Sequence, residues 1–127
     1  MENIIKVLVV DGSCFTRNFL ENLLIQSGFV VRAVACEKLG MRELLNNNYD
    51  LAIVSYGMSE INGVQFKDIY KDFNKASNQT KFILTYGFDT QLISGDLNEF
   101  LAILPKPLNP NRVLAVVGNY KKMKVLN

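Results

Sequence analysis

The sequence predicts an α/β domain built on a doubly wound, five-stranded parallel sheet. Three observations predict it. Five short apolar runs recur along the chain and read as strands, the first of them rich in β-branched residues like a strand covered on both faces. Between them lie segments with apolar residues at helical spacing. Turn and cap residues punctuate each junction. Strand–helix alternation of this kind gives a parallel sheet with helices on both faces, and right-handed crossovers with one reversal of winding make it doubly wound.

Ile4 to Val10 is the first strand, closed by Asp11-Gly12. Ser13 can cap a helix to about Gln26, with Phe15, Phe19, Leu20, Leu23 and Leu24 as one apolar stripe. Gly28 suits a helix C-terminus. Phe29 to Ala35 is the second strand, and Glu37 to Asn47 a helix with Leu39, Leu44 and Leu45 inward. Asp50 to Ser55 is the third strand. Asn62-Gly63 opens a helix whose inward residues are expected to be Phe66, Ile69, Tyr70 and Phe73. Lys75 to Thr80 is a polar loop and Lys81 to Thr85 the fourth strand. A short fourth helix is expected over Phe88 to Asn98, weakened by Gly95. Phe100 to Leu104 is the fifth strand. Asn109 as N-cap and Pro110 at the first helical position open a fifth helix that buries Val113, Val116, Val117 and Tyr120. Lys121 to Asn127 reads as a frayed tail or the start of a linker.

The chain of 127 residues fits one domain, residues 1–127, with a single core. An apolar fraction of 49% and a charged fraction of 20% suit a globular protein rather than a disordered one. Apolar runs are too short for a membrane span, and Met1-Glu2-Asn3 lacks the basic start of a signal peptide, so the expected location is the cytoplasm, away from membranes. The net charge of +2 is too small to argue for nucleic acid, and no direct nucleic-acid binding is expected. Cys14 and Cys36 have no metal-ligand spacing and read as small buried or half-buried residues. Histidine is absent, which excludes Ser-His and Cys-His catalysis, His-ligated zinc and phosphohistidine chemistry.

Chemistry in such a sheet gathers at the carboxyl ends of the strands. Four polar side chains stand there: Asp11, Ser55, Thr85 and Lys106. In a sheet ordered 2-1-3-4-5 the strands that carry them are adjacent, and the four converge.

At these residues the chain resembles the response-regulator receiver domain, the CheY-like family of two-component and phosphorelay signalling. The pieces that carry the resemblance are Val-Leu-Val-Val-Asp-Gly, Asp-Leu-Ala-Ile-Val-Ser, Met-Ser-Glu-Ile-Asn-Gly, Phe-Ile-Leu-Thr and Leu-Pro-Lys-Pro-Leu. They fall in family order across residues 4–121. The resemblance implies the flavodoxin-like (βα)5 fold with order 2-1-3-4-5. It also implies a cis bond before Pro107, a Ser or Thr at Thr85, a lysine at Lys106, and contacts through the face of the fourth helix, fifth strand and fifth helix. Exposed candidates there are Phe88, Gln91, Lys121 and Lys122.

The departures fall on the chemistry. Gly12 replaces the acid that in the family is the main magnesium carboxylate, and Ser55 replaces the phosphoacceptor aspartate. Ser59 stands for a proline, Tyr86 for a small residue that leaves room for a phosphoryl group, and Ile103 for the Tyr or Phe that switches inward. An aspartate is ionised at neutral pH, whereas a serine hydroxyl needs a base. Magnesium prefers carboxylate oxygens, and Asp11 is the one acid left. No metal or other cofactor is therefore expected, with magnesium binding weak or absent.

The sequence thus reads as a pseudo-receiver, not an enzyme, that acts through a protein partner or a homodimer. Lys106 is expected to bond Asp11, Ser55 and Thr85. Two unit charges 4 Å apart attract by roughly 4 kcal/mol at an effective dielectric of 20, and desolvation cancels much of that. Two alternatives stand beside this reading. One is a divergent receiver that still takes a phosphoryl group, on Ser55 or elsewhere. The other is a flavodoxin-like cofactor binder using Ser13 and Thr16 at a helix N-terminus, which the single glycine of the loop and Asp11 disfavour.

Overall fold

The computed structural model describes residues 4–74, 80–87 and 97–126. Its strands are β1 (Lys6–Val10), β2 (Val30–Val34), β3 (Leu51–Ser55), β4 (Lys81–Tyr86) and β5 (Phe100–Pro105). They form one parallel sheet in the order β2-β1-β3-β4-β5. Four helices are described: α1 (Cys14–Gln26), α2 (Glu37–Asn46), α3 (Gly63–Phe73) and α4 (Pro110–Leu126). The helix expected over Phe88 to Asn98, with Phe88 and Gln91, lies almost entirely outside the described residues; Leu97–Glu99 is a single 3-10 turn. The register slips between Phe82↔Phe100 and Ile83↔Ala102, so Leu101 of the outer strand has no partner on β4.

Strand alternation divides the core into two layers. Leu8, Val10, Ala52, Val54, Phe82 and Leu84 meet α2 and α3. Val7, Val9, Leu51, Ile53, Ile83 and Leu104 meet α1 and α4. Both faces of β3 are covered, which is why Leu51 to Ser55 is buried throughout.

The helices corrected several side-chain expectations. In α1 the buried line is Thr16, Leu20, Leu24, each one turn after the last. Phe15 stands about 100° off that line and is exposed, as is Cys14, while Cys36 is half-buried. In α2 the inward residues are Glu37, Gly40 and Leu44; Leu39 and Leu45 face outward. Gly40 is required there, because a Cβ would stand 2.7 Å from a methyl of Val10. In α3 the inward set is Gly63, Val64, Phe66, Lys67 and Tyr70. Lys67 takes an inward position that an apolar count passes over, and Ile69 and Phe73 are left exposed. Val113 and Val117 of α4 are buried, with Val116 and Tyr120 half-buried beside them.

The stretch from Lys121 is helical through Leu126, not a frayed tail. Lys124 pairs with Asp50, and Lys121 lies 5.6 Å from the centre of the Phe29 ring. Gly28 has φ +93°, a conformation that favours glycine after the end of α1. No described helix is long and apolar enough to cross a membrane.

Candidate functional site

The pleat brings the four strand-end side chains together. Val9, Ile53, Ile83 and Leu104 all point into the α1–α4 layer. Two residues further on, a strand returns to the same face, and those positions are Asp11, Ser55, Thr85 and Lys106. The ladder continues past the strand ends: Asp11 N–H donates to the Val34 carbonyl at 3.1 Å and Lys106 N–H to the Tyr86 carbonyl at 2.7 Å.

Asp11 is 3% exposed. Its Oδ1 accepts from Ser13 N–H at 2.8 Å, and its Oδ2 lies 2.8 Å from Lys106 Nζ. Arg17 donates to the Asp11 main-chain carbonyl at 2.8 Å. Ser13 itself caps α1 by accepting from Thr16 N–H. Lys106 also donates to Ser55 Oγ at 3.3 Å. The Lys106–Pro107 peptide is cis. Lys106 thus joins Asp11 to Ser55 but does not reach Thr85. The Thr85 side chain is 1% exposed, and its hydroxyl has no hydrogen-bond partner among the described residues. Its carbonyl accepts from Tyr56 N–H at 2.7 Å.

Gly12 is exposed, and a Cβ there would meet nothing closer than the Ala35 carbonyl at 3.8 Å. The position has room for the side chain it lacks. Gly63 is the opposite case. A Cβ would stand 2.6 Å from Leu84 Cδ1 and 2.7 Å from the Ser55 carbonyl, so only glycine lets α3 start this close to the end of β3. Tyr86 is half-buried, and Ile103 packs, half-buried, against the α2–α3 layer on the other side of the sheet from Lys106.

As a donor set the cluster is poor for a divalent cation. Among the described residues one carboxylate stands in the cluster, and both its oxygens already accept from Lys106 or Ser13. Among the described residues no group of three or more His, Cys, Asp or Glu could hold a metal. Magnesium demands near-octahedral oxygen ligation, and these residues do not fit it.

Three features escaped the sequence reading. Glu37 reaches from α2 to the loop after β3, where it accepts from the Ser59 hydroxyl at 2.7 Å and from Glu60 N–H at 3.2 Å. Burial pushes its pKa up, but those bonds, with the N–H groups of Glu37 and Ile61, outweigh it and hold the carboxyl below its ordinary value. Asn62 and Gln65 form a capping box on α3, a signal legible as Asn-x-x-Gln. Lys67, fully buried, bonds Glu99 at 2.5 Å and Asp68 at 3.0 Å while lying 5.1 Å from the Phe100 ring centre. The only sign in the sequence was a lysine at an inward helical position.

Solved structures match this fold closely. The receiver domain of the Francisella response regulator 1452 has a TM-score of 0.81 at 21% identity, covering 94% of this chain and 98% of that one. A receiver domain from Clostridium thermocellum has a TM-score of 0.77 at 21% identity, with 97% and 98% covered. The chemotaxis response regulator CheY4 of Vibrio cholerae has a TM-score of 0.77 at 20% identity, with 92% and 98% covered. No protein-family model matches the chain, and no curated protein matches it in sequence. The chain therefore has the fold of the CheY-like receiver domain.

Proposed function

We propose that this protein is a pseudo-receiver: a cytoplasmic signalling domain of the two-component or phosphorelay type that acts by contact with other proteins, not as an enzyme and without aspartyl phosphorylation. The observation that carries the reading is the Lys106–Asp11 pair at 2.8 Å beside Ser55. Among the described residues the pocket's cation is matched by one anion, and the pair needs no metal or phosphate to balance it. Ser55 occupies the strand-end position of the receiver phosphoacceptor, and among the described residues no group is hydrogen-bonded to its hydroxyl as a base. Lys106 is itself a donor to Ser55, so the hydroxyl gains no base from it. With Gly12 in place of a second acid, the magnesium that phosphoryl transfer depends on has no seat.

The outer face of β5 and α4 is the proposed surface for a protein partner. Leu101 and Lys122 are exposed. Lys121 does not belong to that surface, since it is half-buried over Phe29. Neither nucleic acid nor membrane is part of the proposal.

Incubation with acetyl phosphate and magnesium, read by intact mass under neutral and acidic conditions, tests the reading. The expected result is an unchanged mass. A stable gain of one phosphate on Ser55 or any other residue would overturn it in favour of a divergent, phosphorylated receiver.

A further inference from the structure

The last turn of α4 stays helical without apolar burial to hold it. Val113 and Val117 anchor the helix in the core, and Leu114, Val116 and Tyr120 pack half-buried beside them. No residue of α4 after Val117 is buried, and every residue from Lys122 to Leu126 is exposed, Met123, Val125 and Leu126 included. The last carbonyls of a helix have no partner within it, and helix ends fray. Contacts other than apolar ones must keep Lys121 to Leu126 in place.

Two lysines supply them. Lys124 pairs with Asp50 and bonds the Tyr120 hydroxyl one turn back. Lys121 lies 5.6 Å from the centre of the Phe29 ring, itself part of the core. The anion that Lys124 reaches is fixed in place. Asp50 stands just before β3, and its Oδ2 accepts from Lys6 N–H at 2.9 Å. Its own N–H donates to the Lys6 carbonyl at 2.9 Å, and its carbonyl accepts from Lys81 N–H at 3.0 Å. The starts of β1 and β4 thus hold Asp50 from both sides. Its partner is the wetter of the two: the Lys124 side chain is 45% exposed against 16% for Asp50. An ion pair half in water is one that salt screens.

We propose that the last turn of α4 is a salt-sensitive latch. Lys124 on Asp50 keeps residues 121–126 helical, and screening of that pair lets the turn fray while Val113 and Val117 stay packed. Lys122 rides on the same turn. The latch therefore sets whether the far end of the β5–α4 surface is presented to a partner as a helix. That use of the turn rests on the partner surface proposed above; the latch itself does not.

Amide hydrogen exchange of the full chain, followed by NMR at about 0.01 M and about 1 M salt, tests this, since the screening length falls from roughly 30 Å to 3 Å between them. The amides of residues 121–126 are expected to exchange about threefold faster at high salt, with those of Val113 and Val117 as the internal reference. Lys124→Gln should give that faster exchange at low salt and lose the salt dependence. Lys122→Gln removes the same charge from the same turn, but Lys122 has no ion pair among the described residues, so it should behave as wild type. Protected Val113 and Val117 amides check that each variant folds. Wild-type rates in Lys124→Gln, no salt dependence in the unmodified chain, or an equal effect from Lys122→Gln would each overturn the latch; the last would mean that the turn feels total charge rather than this pair. Exchange rates do not depend on whether a partner binds, so the latch and the partner surface fall separately.

Discussion

Lys106 Nζ lies 2.8 Å from Asp11 Oδ2, and the two side chains are unequally buried: 24% of the lysine is exposed against 4% of the aspartate. The cost of breaking the pair should therefore depend on which partner is removed. Lys106→Met strands a buried carboxylate, which keeps only the Ser13 N–H, and should cost about 2–4 kcal/mol. Asp11→Asn leaves an ammonium that can swing toward water, and should cost about 1 kcal/mol. Urea unfolding of the two variants checks the order. Equal losses would mean that the pair is not the buried contact described.

The two glycines at the site should respond in opposite ways. Gly63→Ala pushes a methyl into Leu84 and the Ser55 carbonyl and should destabilise the fold by about 2 kcal/mol or more. Gly12→Ala meets open space and a backbone without positive φ, so it should stay within about 0.5 kcal/mol of wild type. Thermal melts of the two variants make the comparison.

Glu37 gives stability a signature in acid. Its folded pKa lies below the ordinary carboxyl value. Above that ordinary value the group is ionised in both states, and its bonds to Ser59 and Glu60 contribute in full. As pH falls through the ordinary value toward the folded one, the unfolded chain takes up the proton first and the contribution drains away. Glu37→Gln should therefore flatten the acid limb of a stability–pH profile measured by urea unfolding from neutral pH down to about pH 3. Ser59→Ala should flatten it in part. A profile unchanged in Glu37→Gln would show that Glu37 does not set the acid limb.

Magnesium affinity should return only when charge does. Ser55→Asp alone adds a second carboxylate but leaves Gly12, and should restore little binding. Gly12→Asp with Ser55→Asp should restore far more, since Gly12 has room for a side chain. The chain has no tryptophan, so calorimetry or NMR titration is the suitable readout. Full affinity from the single substitution would show that Gly12 does not keep magnesium out.

The strands were legible because each carries its own pattern. Leu51 to Ser55 reads as buried from its composition alone, and the order of the sheet followed from the resemblance at the strand ends. The helices were less legible. Phe15, Leu39, Ile69 and Phe73 all read as core residues and all are exposed. A helical stripe fixes which residues share a side to within about 100°, and the sheet decides which side is covered. Lys67 shows the same limit from inside, since its burial depends on Glu99 arriving from a turn 32 residues away.

The sequence by itself determined the α/β class, the five strands and the identities at the strand ends, because alternation, caps and the absence of histidine are local properties of the chain. Only the tertiary structure decided that Lys106 reaches Asp11 and Ser55 and stops short of Thr85. It also decided that Gly12 is open while Gly63 is closed, and that Glu37 pins the loop after β3. Those outcomes rest on contacts between residues far apart in sequence, such as Lys106 with Asp11 at 2.8 Å and Glu37 with Ser59 at 2.7 Å, and such contacts exist only once the sheet has assembled.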